Sequence, residues 1–358
     1  MFADTLAAVL QYAVMEVANN ECQDAIKEIG KEYVESFVVT PGEIVLDPEA
    51  IIITSPLSIT SSKEAFERAF TKIDSLNVMG PVAKSSAHIF CVEMSNQKFR
   101  FRRMQDYLFE NIGRYVMSRY KVNQLKSEGK ADTIGLYALR EFQNAYKDKS
   151  DNVLGEMLLY IFMEQVLGAP KIMSKVEIDE TNRNAVSKSD GVHLLSINKS
   201  GQPFHQLVFG ASDIVGDLQL AIDRAFEKII SVEANQDTEL RMVDNTTQWT
   251  IYDPEATQYM VELMTPQRNG SYKPDMAFGA FLGYTIRLDN PETDSQKYRI
   301  AVKEQLKKDI ANVQPYIVKK IQNNGLSGYS FYFYLLPFND ASSEKTSIIQ
   351  ELLSGGGI

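Results

Sequence analysis

The stretch Ser189-Asp190-Gly191-Val192-His193-Leu194-Leu195, followed after a polar turn by Leu207-Val208-Phe209-Gly210-Ala211-Ser212-Asp213, decides how this 358-residue chain is read. Both runs are apolar and rich in strand formers, and Asn198-Lys199-Ser200-Gly201-Gln202-Pro203 between them is a turn. The pattern is a β-hairpin that carries acidic residues to one end of a sheet, with a helix close behind. If the loop is closed by Ile197 opposite Phe204, then Asp190 stands opposite Ala211. Directly opposed residues share a face, as do residues two apart on one strand. Asp190, Ala211 and Asp213 would then converge at one end of one face. Two carboxylates there suit a hard divalent cation such as Mg²⁺, which takes oxygen ligands. Such an ion activates water and neutralises the charge of a phosphodiester transition state. A one-residue slip reverses the faces. The plainer alternative makes Asp190 a turn acid beside Gly191 and Asp213 the cap of the next helix.

Upstream, Val153 to Leu167 is apolar nearly all round, which marks a buried helix. Within it Glu156, Tyr160 and Glu164 recur every four residues and share a stripe. A buried carboxylate needs a cation, a metal or good donors. Glu156 either reaches the same ion as Asp190 or complements the helix N-terminus. Beyond Gly168-Ala169-Pro170, Ile172 to Asp179 alternates as a strand. Asp213 to Ser231 has helical spacing, and Ala277 to Ile286 is an apolar strand. Gln296 to Asn323 is a helix containing Pro315, Tyr329 to Leu336 an aromatic strand, and Glu344 to Leu353 a closing helix. Before the hairpin, helices are expected from Phe99 to about Tyr120 and from Leu136 to Tyr146, with a polar loop between.

Residues 1–95 read as a small α+β accessory or docking region. It holds a helix from Thr5 to Ile29, a short hairpin about Pro41-Gly42 and a strand at Ile51-Ile52-Ile53. A helix over Ser62 to Ile73 is opened by a capping serine with Glu64 and Glu67 in its first turns. The whole predicts an α/β (α+β) fold, with a mixed central sheet flanked by helices over residues 96–358.

Composition narrows the function classes. A hydrophobic content of 44% is enough for a packed core. No apolar run is long enough to span a membrane, and the N-terminus lacks the basic start of a secretory signal. Cys22 and Cys91 make no framework, and His88, His193 and His205 are scattered, so a zinc site is not expected and a reduced, cytoplasmic compartment is. The net charge of −10 is the wrong sign for gripping nucleic acid unaided. Between Lys98 and Lys130, however, nine basic residues face only three acids. That stretch is either a solvated helix face or a surface for phosphate or an acidic partner. The acidic remainder suggests that a partner delivers any nucleic acid.

At these residues the chain resembles the HamA nuclease subunit of the Hachiman anti-phage defence systems, within the PD-(D/E)xK nuclease superfamily. The resemblance runs over about residues 99–358. It rests on Leu154-Gly155-Glu156-Met157-Leu158-Leu159-Tyr160, Gly168-Ala169-Pro170-Lys171, the hairpin quoted above, and Phe333-Tyr334-Leu335-Leu336-Pro337-Phe338. It implies a PD-(D/E)xK nuclease-like core, Mg²⁺-dependent DNA cleavage, and a helicase partner (HamB) that holds the subunit inactive until DNA is engaged. Glu156 matches the helix glutamate and Asp190 the acid of the second strand. The family's Glu-x-Lys of the third strand falls on Ala211-Ser212-Asp213. Three readings stand. Asp213 is a migrated ligand, joining Glu156 and Asp190 at the metal, with a lysine from elsewhere such as Lys175. Or Ala211 is an introduced alanine. Or the subunit is catalytically impaired and serves as a binding or regulatory partner of a helicase.

Overall fold

The computed structural model describes residues 39–40, 43–44, 57–78, 85–146, 152–181, 187–199, 202–248, 254–264, 274–288 and 294–355. The helix expected over residues 5–29 and the strand at 51–53 lie outside these. The hairpin expected about Pro41-Gly42 is present as β1 (Val39–Thr40) and β2 (Glu43–Ile44), antiparallel with Val39 opposite Ile44.

Helix α1 (Lys63–Ala69) opens at Ser62, whose hydroxyl accepts from the Ala65 N–H. It stops at Phe70, where the backbone becomes extended, and the chain continues as β3 (Thr71–Asn77) instead of a helix reaching Ile73. β4 (Ser86–Cys91) follows, then a tight hairpin of β5 (Glu93–Ser95) and β6 (Lys98–Arg100). Its turn residues Asn96 and Gln97 both have positive φ, 51° and 56°, as a two-residue hairpin loop of the primed type requires. Phe99 is therefore in a strand, and helix α2 begins later (Arg102–Val116). The expected polar loop contains a helix, α3 (Arg119–Ser127), capped by Ser118. Helices α4 (Ile134–Tyr146) and α5 (Val153–Gln165) then lead to β7 (Lys171–Ser174).

The strand expected to reach Asp179 ends at Ser174, and α6 (Lys175–Thr181) takes over. A capping box explains the switch: the Ser174 N–H donates to Glu177 and the Glu177 N–H donates to the Ser174 hydroxyl. β8 (Gly191–Lys199) and β9 (Gln202–Ile214) form the hairpin. Helix α7 (Leu218–Ala234) is capped by Asp217 and not by Asp213. Helices α8 (Gln236–Gln248) and α9 (Pro254–Met264) are not among the elements expected from the sequence. β10 (Asp275–Thr285), α10 (Ser295–Asn323), β11 (Ser330–Phe338) and α11 (Ala341–Leu353) complete the chain in the expected order.

The mixed central sheet has seven strands in the order β3-β4-β11-β10-β9-β8-β7. β4, β11, β10 and β9 run parallel, while β3 and β7 are antiparallel to their neighbours. Helices flank it, and two of its strands, β3 and β4, lie before residue 96. The chain forms two compact units, residues 1–55 with 196–205 and residues 56–195 with 206–358. The sheet centre and the site described below belong to the second.

Helix α5 packs on the sheet at β10 and α7 packs on the same strand. Side-chain alternation separates the two: Gly210 and Ser212 of β9 meet α5, whereas Asp213 meets α7. The α5 side requires glycine. Gly210 and Gly279 are paired in register on β9 and β10, and a Cβ at either would collide with Leu159 or Met163 of the helix. Two missing side chains therefore form the groove in which α5 lies. Phe162 is the hub of this core, with ring centroids 4.9–5.6 Å from Phe66, Phe70, Phe90, Phe281 and Tyr334. It joins α1, β4, β10 and β11 through one side chain. Phe162→Ala is expected to destabilise the fold by about 3–5 kcal/mol, mostly through the cavity it leaves. Chemical denaturation checks this, and a loss below about 1 kcal/mol would show that the hub collapses around the vacancy.

Candidate active site

Asp190 lies at the mouth of β8, and its N–H donates to the Gly210 carbonyl at 2.8 Å. This bond fixes Asp190, the residue just before β8, beside the end of β9. The Asp190 carboxylate lies on the α5 side, where Oδ2 accepts from the Ser212 N–H (2.6 Å) and the Ser212 hydroxyl (2.7 Å). Asn152 Nδ2 adds a longer contact at 3.3 Å. The fourth donor is Lys228 of α7, whose Nζ is 2.6 Å from Oδ2 and 2.9 Å from the Ser212 carbonyl. The Asp190 side chain is only 3% exposed and that of Lys228 26%, so the ammonium enters from the rim.

Glu156 arrives from the first turn of α5. Its Oε2 accepts from the Tyr146 hydroxyl at 2.7 Å and the Tyr115 hydroxyl at 3.2 Å, and the two tyrosine oxygens are 2.7 Å apart. Burial pushes the Glu156 carboxyl up to about 7, and the charge of Asp190 adds to the rise; the Tyr146 hydrogen bond, Lys228 and Lys175 oppose it. Burial likewise holds the Tyr115 and Tyr146 hydroxyls well above their ordinary value. The site therefore balances its two acids differently. Asp190 has a lysine, and Glu156 has burial and two phenol donors around a carboxyl that retains its proton near neutrality.

The other acid of the stripe, Glu164, is fully buried and structural. It accepts from the N–H and hydroxyl groups of Thr60 and Ser61, tying the segment before α1 to α5. His193 is buried with Nδ1 on the Ala169 carbonyl at 2.8 Å, and burial lowers its pKa to about 4, so it stays neutral. His88 is lowered to about 4 by the same cause, and its ring stacks at 6.1 Å on Tyr334.

The remaining expected site residues are elsewhere. Asp213 is on the opposite face of β9 from Ser212, with Arg224 of α7 at 3.4 Å and its own Oδ1 accepting the Ile214 N–H. Ala211 is buried and its methyl group supplies no ligand atom. Lys175 opens α6 and holds Asp179 at 2.9 Å and the Ser187 carbonyl at 3.1 Å. The structure brings Glu156 and Asp190 together and leaves Asp213 and Lys175 out of the pair. Among the described residues no group of three or more His, Cys, Asp or Glu is placed to hold a metal ion. As arranged, the side chains present do not fit the divalent ion that the resemblance implies, because Asp190 Oδ2 and the Ser212 carbonyl, two oxygens that would receive it, receive the Lys228 ammonium.

A cavity of about 510 Å³ opens beside the pair. Its wall carries four cations, Lys188, Arg224, Lys228 and Lys345, against two acids, Asp213 and Glu227. Lys345 donates to the Ile214 carbonyl at 3.1 Å, so it is oriented along the end of β9. Asn152, Ser212 and Lys228 are site residues that the sequence reading does not single out. Lys228 had a signal: Arg224, Lys228 and Ser231 recur at helical spacing opposite the buried Ala221, Ile222, Ala225, Phe226 and Ile229.

The family model of HamA matches residues 64–352, most of the chain. The chain belongs to the HamA family. No curated protein and no solved structure matches it. Membership makes it a Hachiman defence subunit, and the seven-stranded mixed sheet is compatible with a nuclease-like core. Among the described residues no helix is long and apolar enough to cross a membrane.

The raised Glu156 carboxyl has a measurable consequence. Its folded value lies above the ordinary 4.5, so between about 4.5 and about 7 the native state binds more protons than the unfolded chain. The stability this confers is complete at the acid end and is lost as pH rises through about 7. Glu156→Gln removes the dependence, while His88 and His193 titrate alike in both proteins and cancel. The wild type is expected to lose stability relative to Glu156→Gln as pH is raised from about 5 to about 8, followed by urea denaturation. A difference independent of pH would contradict the assignment.

Proposed function

We propose that this chain is the DNA-engaging subunit of a Hachiman complex, working with a helicase partner in the bacterial cytoplasm, and that it holds the phosphodiester backbone without a metal-dependent cut. The observation that carries this reading is the cavity wall, where Lys188, Arg224, Lys228 and Lys345 stand beside a position that lacks the third-strand acid. Cations that line a concave surface attract phosphate, whereas cleavage through a divalent ion needs gathered oxygen ligands. Ala211 offers none, and Asp213 is engaged by Arg224. The chain as a whole is acidic, at −10, which favours delivery of DNA by the partner over capture by the isolated subunit.

A second reading has one specific observation in its favour. Glu156 and Asp190 are buried side by side, and a dication would relieve their mutual repulsion. On that reading the subunit is a Mg²⁺-dependent nuclease released by the helicase.

One experiment separates the two. The complex of this chain with its helicase partner is incubated with plasmid DNA and Mg²⁺, and cleavage and DNA cross-linking to the subunit are both followed. The expected result is cross-linking without Mg²⁺-dependent cleavage. Replacing Lys188, Arg224 and Lys345 together by Ala should weaken the cross-link at least about tenfold and flatten its salt dependence, since fewer cations on the wall displace fewer counterions from the DNA. Cleavage that needs Mg²⁺ and disappears in Asp190→Ala would establish the second reading instead.

A further inference from the structure

We infer that Lys228 is a built-in counter-ion standing where a divalent cation would otherwise be held, so that the site excludes metal until this lysine is removed. The inference rests on the non-cleaving reading above and deepens it. Lys228 Nζ is held by oxygens from two strands, Asp190 Oδ2 at 2.6 Å and the Ser212 carbonyl at 2.9 Å. A carboxylate oxygen and a main-chain carbonyl are the ligand types that hard cations take. A side-chain amide lies beside them. Asn152 points its amide nitrogen at Asp190, the Ser212 carbonyl and the Ser212 hydroxyl, which settles its orientation. Its Oδ1 is buried without a hydrogen-bond partner. Asp190 Oδ2 and the Ser212 carbonyl thus make a partial oxygen cradle, with an ammonium seated on both.

The seat is enforced by the fold and not by the lysine alone. Helix α7 starts directly after β9, capped by Asp217, and buries Ala221, Ile222, Ala225, Phe226 and Ile229. That burial sets the helix rotation and directs position 228 over the end of β9. A singly charged side chain tethered in this way acts at high effective concentration, so a dissolved cation must displace it before it can bind. The ammonium also ties α7 to both strands of the hairpin, the cross-linking that a bound ion would provide, and it does so without dependence on metal supply.

The test uses the full-length chain stripped with chelator and titrated with Mn²⁺ by calorimetry and by thermal melting. The wild type is expected to show no saturable Mn²⁺ site and no change in melting on adding chelator. Lys228→Met keeps most of the aliphatic stem and removes the charge, and it should gain Mn²⁺ binding at least about tenfold tighter than any shown by the wild type, the scale of affinity that a single neighbouring group controls at a metal site. Adding Asp190→Asn to that variant should abolish the gain. Lys228→Arg keeps the charge and should behave as the wild type. If Lys228→Met does not melt cooperatively alone, Mn²⁺ that restores its transition supports the inference, and Mn²⁺ that does not restore it overturns the inference. Wild-type binding as tight as the variant's and lost in Asp190→Asn would also overturn it, as would a folded Lys228→Met without any gain. None of these readouts involves DNA, so failure here is separate from failure of the cross-linking experiment.

Discussion

A single main-chain hydrogen bond, from the Asp190 N–H to the Gly210 carbonyl, governs the chemistry available to this site. It fixes Asp190, the residue just before β8, at the end of β9. There the Asp190 carboxylate meets Ser212 and Asn152, whereas Asp213 meets Arg224 of α7. The same bond brings Asp190 against Ser212, whose N–H and hydroxyl both donate to it.

What surrounds Asp190 follows from how closely α5 can approach. Gly210 and Gly279 leave a groove, and Gly155 of the helix sits where a Cβ would come within 3.0 Å of the Ser212 hydroxyl and 2.8 Å of Asn152 Oδ1. At this close approach Glu156 is shut away from solvent and is satisfied by Tyr115 and Tyr146. Close packing and a raised carboxyl pKa are therefore one fact seen twice. The helix that builds the core also desolvates the acid at its N-terminus.

Membership of the HamA family and the state of the site pull in different directions, and the geometry reconciles them. The family match covers both halves of the sheet, including β4 and β11, so the scaffold is retained as a whole. Within it, a pair of carboxylates persists on the helix and the second strand, while the third strand contributes only backbone and Ser212. A lysine from the following helix completes the charge balance. Asp190 is thus neutralised internally by Lys228, and Lys188, Arg224 and Lys345 line the adjoining cavity wall.

Much of this was legible in the chain itself. Apolar periodicity located α5, α7, β10, α10 and β11 within a few residues, because those elements bury a face and must show it. The missing Glu-x-Lys at Ala211-Ser212-Asp213 was plain from the resemblance alone. Quieter local signals, such as the Ser174–Glu177 capping box and the polar period of Arg224 and Lys228, were also present in the sequence. Three things came only from the tertiary structure: the hydrogen bonds of Ser212 to Asp190, the arrival of Lys228 at Asp190 from 38 residues away, and the desolvation of Glu156. Each depends on long-range packing, in which a shift of one residue or one helix rotation changes which groups meet, and no pattern within a single segment encodes that choice.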